Sequence, residues 1–156
     1  MDIQIEKAKK EDLSRILELG KMLTQSEMVW IKDNTPEWFL GKEGIKFISK
    51  RIRGYGGAIF VAREKDIVIG YIVIGTVQNH VWRGKMRVAY IENIYMCEEY
   101  RGKGIGTLLM DKAKVWAKTK RVNTLHVEII YQNTKAEDFY SKFGFHPYSK
   151  VLETKI

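Results

Sequence analysis

Apolar and polar residues alternate at the start of the chain, where Ile3 and Ile5 are separated by Gln4 and followed by Glu6 and Lys7, the period of a short strand. Over residues 12–23 the spacing changes to that of a helix through Leu13, Ile16, Leu17, Leu19 and Leu23. Asp33-Asn34-Thr35-Pro36 then predicts a second helix, with Thr35 as N-cap and Pro36 at the first helical position, running to about residue 53. Gly54-Tyr55-Gly56-Gly57 stops it. Residues 58–62 and 67–77 are β-rich runs around the polar turn Glu64-Lys65-Asp66, the pattern of an antiparallel hairpin. The polar, basic residues 79–87 read as a loop, and residues 88–97 as a further strand. From about Gly104 a helix places Ile105, Leu108, Leu109, Ala113 and Trp116 on one face. Residues 123–131 read as a strand, residues 134–143 as an amphipathic helix between Asn133 as N-cap and Gly144 as C-cap, and residues 145–156 as a short β-like tail. The order predicts an α/β domain whose mixed, mostly antiparallel central sheet has about six or seven strands flanked by about four helices.

Composition narrows this picture. The chain has 156 residues, 45% of them hydrophobic, enough for one proper core. Two prolines, thirteen dispersed glycines and no repeat mark no boundary, so residues 1–156 are expected to form a single domain. Cys97 is the only cysteine, which excludes an intramolecular disulfide and a cysteine zinc cage, and His80, His126 and His146 lack ligand spacing. No metal is expected. Charges break every apolar stretch near the N-terminus, and the longest weakly polar run, residues 67–75, falls far short of the roughly 20 residues of a membrane helix. A soluble, cytoplasmic protein with no membrane partner is expected. Lys and Arg total 27 against 19 Asp and Glu, a net charge of +8 that suggests a nucleic acid, an acidic surface or a polyanionic small ligand.

The segment Tyr100-Arg101-Gly102-Lys103-Gly104-Ile105-Gly106-Thr107 lies between a strong strand and a strong helix. Glycines at every second position permit positive φ and leave backbone N–H groups uncovered by any Cβ. At a helix N-terminus those groups favour an anion, and Arg101 and Lys103 add positive charge. The turn therefore reads as a phosphate or pyrophosphate site. A dinucleotide fingerprint would need glycine where Thr107 stands, and the spacing of a P-loop is absent.

What the segment does fit is R-x-x-G-x-G, through Arg101, Gly104 and Gly106, and here the sequence resembles the GNAT superfamily of acetyl-CoA-dependent N-acetyltransferases. Residues 91–106 look like that family's fourth strand, pyrophosphate loop and helix. Asn133, Ala136, Phe139-Tyr140 and Phe143-Gly144-Phe145 match a second family block. The resemblance implies a single GNAT-like domain that uses acetyl-CoA as cosubstrate. It implies that the pantetheine arm lies along the main chain of Ile94, Tyr95 and Met96. The pyrophosphate would sit on Arg101, Gly102, Lys103, Gly104, Ile105, Gly106 and Thr107, with Asn133 and Tyr140 also against the cofactor. Tyr140 occupies the position of the family's general acid, and the Met96 amide that of an oxyanion donor. Glu92, a carboxylate inside an apolar strand, is the candidate base, directly or through water; a solvent-facing edge residue is the plainer reading. Tyr140 also reads as a core aromatic beside Phe139 and Phe143. Cys97 as a covalent acetyl carrier lacks a histidine partner in sequence and reads better as a half-buried thiol.

The acceptor expected from the resemblance is a primary amine, either a protein or peptide N-terminal α-amine or a small amine such as a polyamine, attacked in a ternary complex. Trp30, Trp38, Trp82 and Tyr131 fall in or near the acceptor-recognising parts of the family, where a cationic amine would meet aromatic faces. A homodimer stays open. Two other classes compete: a basic nucleic-acid-binding domain and a catalytically silent acetyl-CoA sensor. Against the former, Lys112, Lys114, Lys118, Lys120 and Arg121 surround an amphipathic helix as a solvated face does.

Overall fold

The computed structural model describes residues 2–78, 81–84 and 87–156. The predicted loop at residues 79–87 lies partly outside them, as does His80. The elements follow in the order β1 (Ile3–Lys7), α1 (Leu13–Glu27), α2 (Lys42–Ile52), β2 (Gly57–Glu64), β3 (Ile67–Gln78), β4 (Arg87–Met96), α3 (Ile105–Thr119), β5 (Leu125–Val127) and α4 (Thr134–Ser141). The strands form one sheet in sequential order, antiparallel from β1 to β4 and parallel between β4 and β5. The α/β class and the four helices agree with the sequence reading. None of the described helices is long and apolar enough to cross a membrane.

The expected six or seven strands are five among the described residues. Residues 123–131 yield only Leu125–Val127, because the ladder with β4 ends at Ile91, where the register of β4 shifts by one residue. The tail at residues 145–156 is not a strand: residues 146–156 are exposed, and a three-residue β5 offers too few ladder groups to hold another strand. The second helix also starts late. Pro36–Leu40 forms a short 3₁₀ segment, Thr35 makes no side-chain cap, and α2 begins after Gly41. Buried Phe39 causes the break, since its ring and backbone lie where Cβ atoms at Gly20 and Gly44 would stand.

The sheet separates two apolar clusters. On one face Ile72, Ile74, Ala89 and Ile91 pack against Ile105, Leu109, Met110 and Ala113 of α3 and Tyr140 of α4. On the other, Val61, Tyr71, Val73, Tyr95 and Cys97 pack against Ile16, Leu17 and Leu19 of α1 and Ile48 of α2.

Candidate active site

The decisive local feature is a bulge in β4. Val73 pairs with Asn93 and Ile74 with Ile91, so Glu92 is an extra residue with no partner on β3. One extra residue reverses which main-chain groups face which neighbour. Before it, the Ala89 N–H donates to Thr124 on the β5 side; after it, the Cys97 N–H donates to Ile69 on β3. By the two-residue period, Asn93 and Tyr95 also address β3, while the main-chain groups of Ile94 and Met96 face the side that β5 has left. Among the described residues an open length of strand edge therefore runs from the bulge to the Met96 N–H, the Met96 carbonyl being taken by Arg101.

That edge leads into the glycine turn. Gly102 and Gly104 have φ of 73° and 79°, the left-handed region, and a Cβ on either would meet nothing within 4 Å. Both glycines thus serve backbone shape and leave open space above the first turn of α3. Gly106 does another job: its Cβ would stand 3.1 Å from the Phe139 ring, so it lets α3 approach α4. The N–H groups that open α3 precede any helical acceptor and carry the positive end of its dipole. Arg101 donates from Nε to the Met96 carbonyl at 2.9 Å and stacks over the Tyr95 ring at 5.3 Å, which ties the turn to the end of β4. Lys103 lies over the Tyr100 ring at 5.5 Å, and the Tyr100 hydroxyl donates to Glu64. Space, backbone donors and fixed cations together fit a pyrophosphate.

Asn133 caps α4, its Oδ1 accepting the Ala136 N–H at 3.1 Å. The helix ends in the turn around Gly144, φ 84°. Tyr140, on this helix, is only 6% exposed, with its ring edge-on to Phe139 and Phe145. Burial, and secondarily the Glu27 carboxylate, push its phenol well above the usual tyrosine range. The core-aromatic reading of Tyr140 agrees with this burial, which also keeps its phenol protonated.

Glu92 is neither solvent-facing nor free. Arg51 of α2 holds it in a two-point fork, Nε to Oε2 at 2.7 Å and Nη2 to Oε1 at 2.5 Å. Nothing local in the sequence marks Arg51, which comes from 41 residues upstream. No local pattern marks Glu27 at the end of α1 either; burial raises its carboxyl above the ordinary range, and its charge bears on both Tyr71 and Tyr140. The Tyr71 hydroxyl and Asn93 Oδ1 are buried without a hydrogen-bond partner among the described residues, on the same face of the sheet.

Cys97 is buried against α1, and desolvation raises its thiol, with Arg15 near Sγ at 3.7 Å opposing the shift. A raised, buried thiol is a poor nucleophile. Trp30, Trp38, Trp82 and Tyr131 are all exposed, Trp38 with its ring edge-on to that of buried Phe39 at 5.1 Å. Lys114 and Lys120 cover the rings of Phe143 and Trp116, stems over apolar surface, which argues against a nucleic-acid face. A cavity of about 490 Å³ opens between the end of α3, β5 and residues 143–148, away from the glycine turn; its lining lacks the helix-start donors that an anion requires.

Comparison with known proteins bears on this geometry. The model of the acetyltransferase (GNAT) family matches residues 24–145. An N-alpha-acetyltransferase of Saccharolobus solfataricus is 25% identical over 92% of this chain and 80% of its own length. N-alpha-acetyltransferase 30 of Schizosaccharomyces pombe is 30% identical over 59% of each chain. The chain thus spans less than two thirds of the length of some curated relatives it matches, and only 24% of the Bacillus subtilis N-acetyltransferase YobR. A predicted acetyltransferase from Clostridium acetobutylicum, solved with acetyl-CoA, superposes with a TM-score of 0.80 at 20% identity, covering 99% of this chain and 96% of that one. At that identity the likeness is one of fold.

Proposed function

The chain belongs to the acetyltransferase (GNAT) family, and from that premise we propose that its 156 residues form one domain that moves an acetyl group from acetyl-CoA to a primary amine. The observation that carries this reading is the continuity of the open β4 edge, from the bulge at Glu92 to Met96, with the glycine nest at the start of α3. Acetyl-CoA supplies the acetyl group as a thioester and departs as the thiol. Its arm is held by the main chain of Ile94 and Met96 in the manner of an added strand. Its pyrophosphate is held by the N–H groups of residues 102–106 with Arg101 and Lys103 beside them, the Thr107 N–H being bonded to the Gly104 carbonyl.

Residues of the chain handle the protons. The amine must lose one to become nucleophilic, and Glu92 takes it through a bridging water, since Arg51 engages both carboxylate oxygens. The phenol of Tyr140 keeps its proton at neutral pH because of its burial and delivers it from Oη to the departing sulfur. The acceptor is a peptide α-amine or a small amine such as a polyamine. The names of the archaeal and fission-yeast relatives support the former, and the exposed rings of Trp30 and Trp38 suit either cation.

Thiol release measured with peptides and polyamines side by side, with products identified by mass spectrometry, tests this. Tyr140→Phe and Glu92→Gln are each expected to lower kcat by about 10²–10⁴-fold while acetyl-CoA still raises the melting temperature. Unchanged turnover in either variant removes that residue's role, and binding without turnover of any amine by the unaltered protein makes it a sensor.

A further inference from the structure

Arg51 crosses from α2 to β4 through a passage lined by glycine. Its guanidinium makes the two contacts to Glu92, and its remaining Nη1 donates to the Tyr55 carbonyl at 2.7 Å. Its Cζ lies 5.3 Å from the centre of the Phe47 ring one turn back on the same helix. A Cβ at Gly56 would stand 2.8 Å from Nη1 of Arg51, one at Gly57 2.8 Å from its Cδ, and one at Gly75 3.2 Å from Nη2 and 3.1 Å from Glu92 Oε1. Three glycines from two segments thus leave room for one side chain. The arginine and glutamate side chains are 17% and 16% exposed, so water screens the pair weakly.

We propose that Arg51 is a positioning residue for acetyl transfer, fixing the Glu92 carboxylate at the β4 bulge and tying α2 to the reactive end of that strand. The claim rests on Glu92 being the base. A glutamate on a bulge has no strand partner to set its direction, and its flexible side chain would sample several rotamers. A planar fork with two parallel hydrogen bonds selects one of them. It occupies two of the roughly four acceptor positions of the carboxylate and leaves others for the water that relays the proton. The third donor, on Tyr55, fixes the guanidinium itself, so the carboxylate is aligned to the turn between α2 and β2 as well as to the helix.

Four proteins decide the matter: Arg51→Met, Arg51→Lys, Glu92→Gln and the double variant Arg51→Met with Glu92→Gln. Each is assayed for kcat and KM with the better of spermidine and an N-terminal peptide, and for the rise in melting temperature with CoA. If Arg51 works through Glu92, Arg51→Met lowers kcat about tenfold or more with little change in the KM of acetyl-CoA, as coupled neighbours do. Arg51→Lys, which keeps the charge and loses the fork, recovers only part of the rate. In the Glu92→Gln background the arginine change then costs less than about twofold. The double variant also removes both charges, so it remains measurable if Arg51→Met alone leaves an unpaired glutamate and unfolds. A full rate in Arg51→Met beside a slow Glu92→Gln overturns the positioning role and leaves the base in place. Equal losses from Arg51→Met in both backgrounds also overturn it, because they mean a purely structural part. An unaffected Glu92→Gln overturns the base reading first and this one with it, as does a wild type that acetylates neither amine.

Discussion

Two buried phenols set how this protein responds to alkali. Tyr71 and Tyr140 are both pushed above the ordinary value of 10.0, first by burial and then by the nearby Glu27 carboxylate. In the unfolded chain each ionises near that value, while in the native state each keeps its proton. Above it the native state therefore binds more protons than the unfolded one, so stability present below about pH 10 is lost as pH rises further. Urea midpoints followed from pH 9 to 11 are expected to fall in the parent protein, and to fall less steeply in Tyr71→Phe, which removes one such group outside the proposed chemistry. Equal slopes would mean that Tyr71 reaches solvent when it ionises. For Tyr140 the same shift bears on catalysis: its proton is retained across the neutral range, so a basic limb in the rate profile near pH 8 would have to come from another group.

At the scale of elements, the glycine turn shows that three similar residues do three jobs, separable by substitution. Gly104 precedes α3 at φ 79° with open space where a side chain would project. Gly104→Ala is therefore expected to cost about 1–2 kcal/mol through the left-handed conformation alone, and to weaken CoA binding in a titration because the methyl intrudes on the anion's space. Gly106 has ordinary φ but lies against Phe139. Its alanine variant should lower the melting temperature through the α3–α4 contact while changing CoA affinity much less. The opposite ranking would place the anion over Gly106. Gly102 shares the conformation of Gly104 without being part of the helix, so it shapes the approach to the turn. The bulge in β4 is an element-scale device too: one unpaired residue turns the main chain of Ile94 and Met96 away from β3 and ends the pairing with β5.

Across the whole molecule, one sheet divides two cores, so the two faces should melt together. Leu109 of α3 and Ile16 of α1 are both fully buried, on opposite faces. Leu109→Ala and Ile16→Ala are each expected to destabilise by about 2–5 kcal/mol within a single cooperative transition, read by calorimetry. Two separate transitions would split residues 1–156 into independent units. The net charge of +8 has a partial address at Arg101 and Lys103, while Lys114 and Lys120 lie over aromatic rings and Arg63 is balanced by Glu6 and Asp12. The local periods of 2 and 3.6 were enough to place the hairpin, the long helix after Gly104 and the capped helix at Asn133, because those signals depend on residues a few positions apart. Glycine spacing was enough to mark the turn that opens α3 for the same reason. Where β5 ends, whether the tail pairs, and which residue meets Glu92 depend on register and on a contact spanning 41 positions. A bulge and a distant arginine leave no period in the chain, and only the packed sheet brings them together.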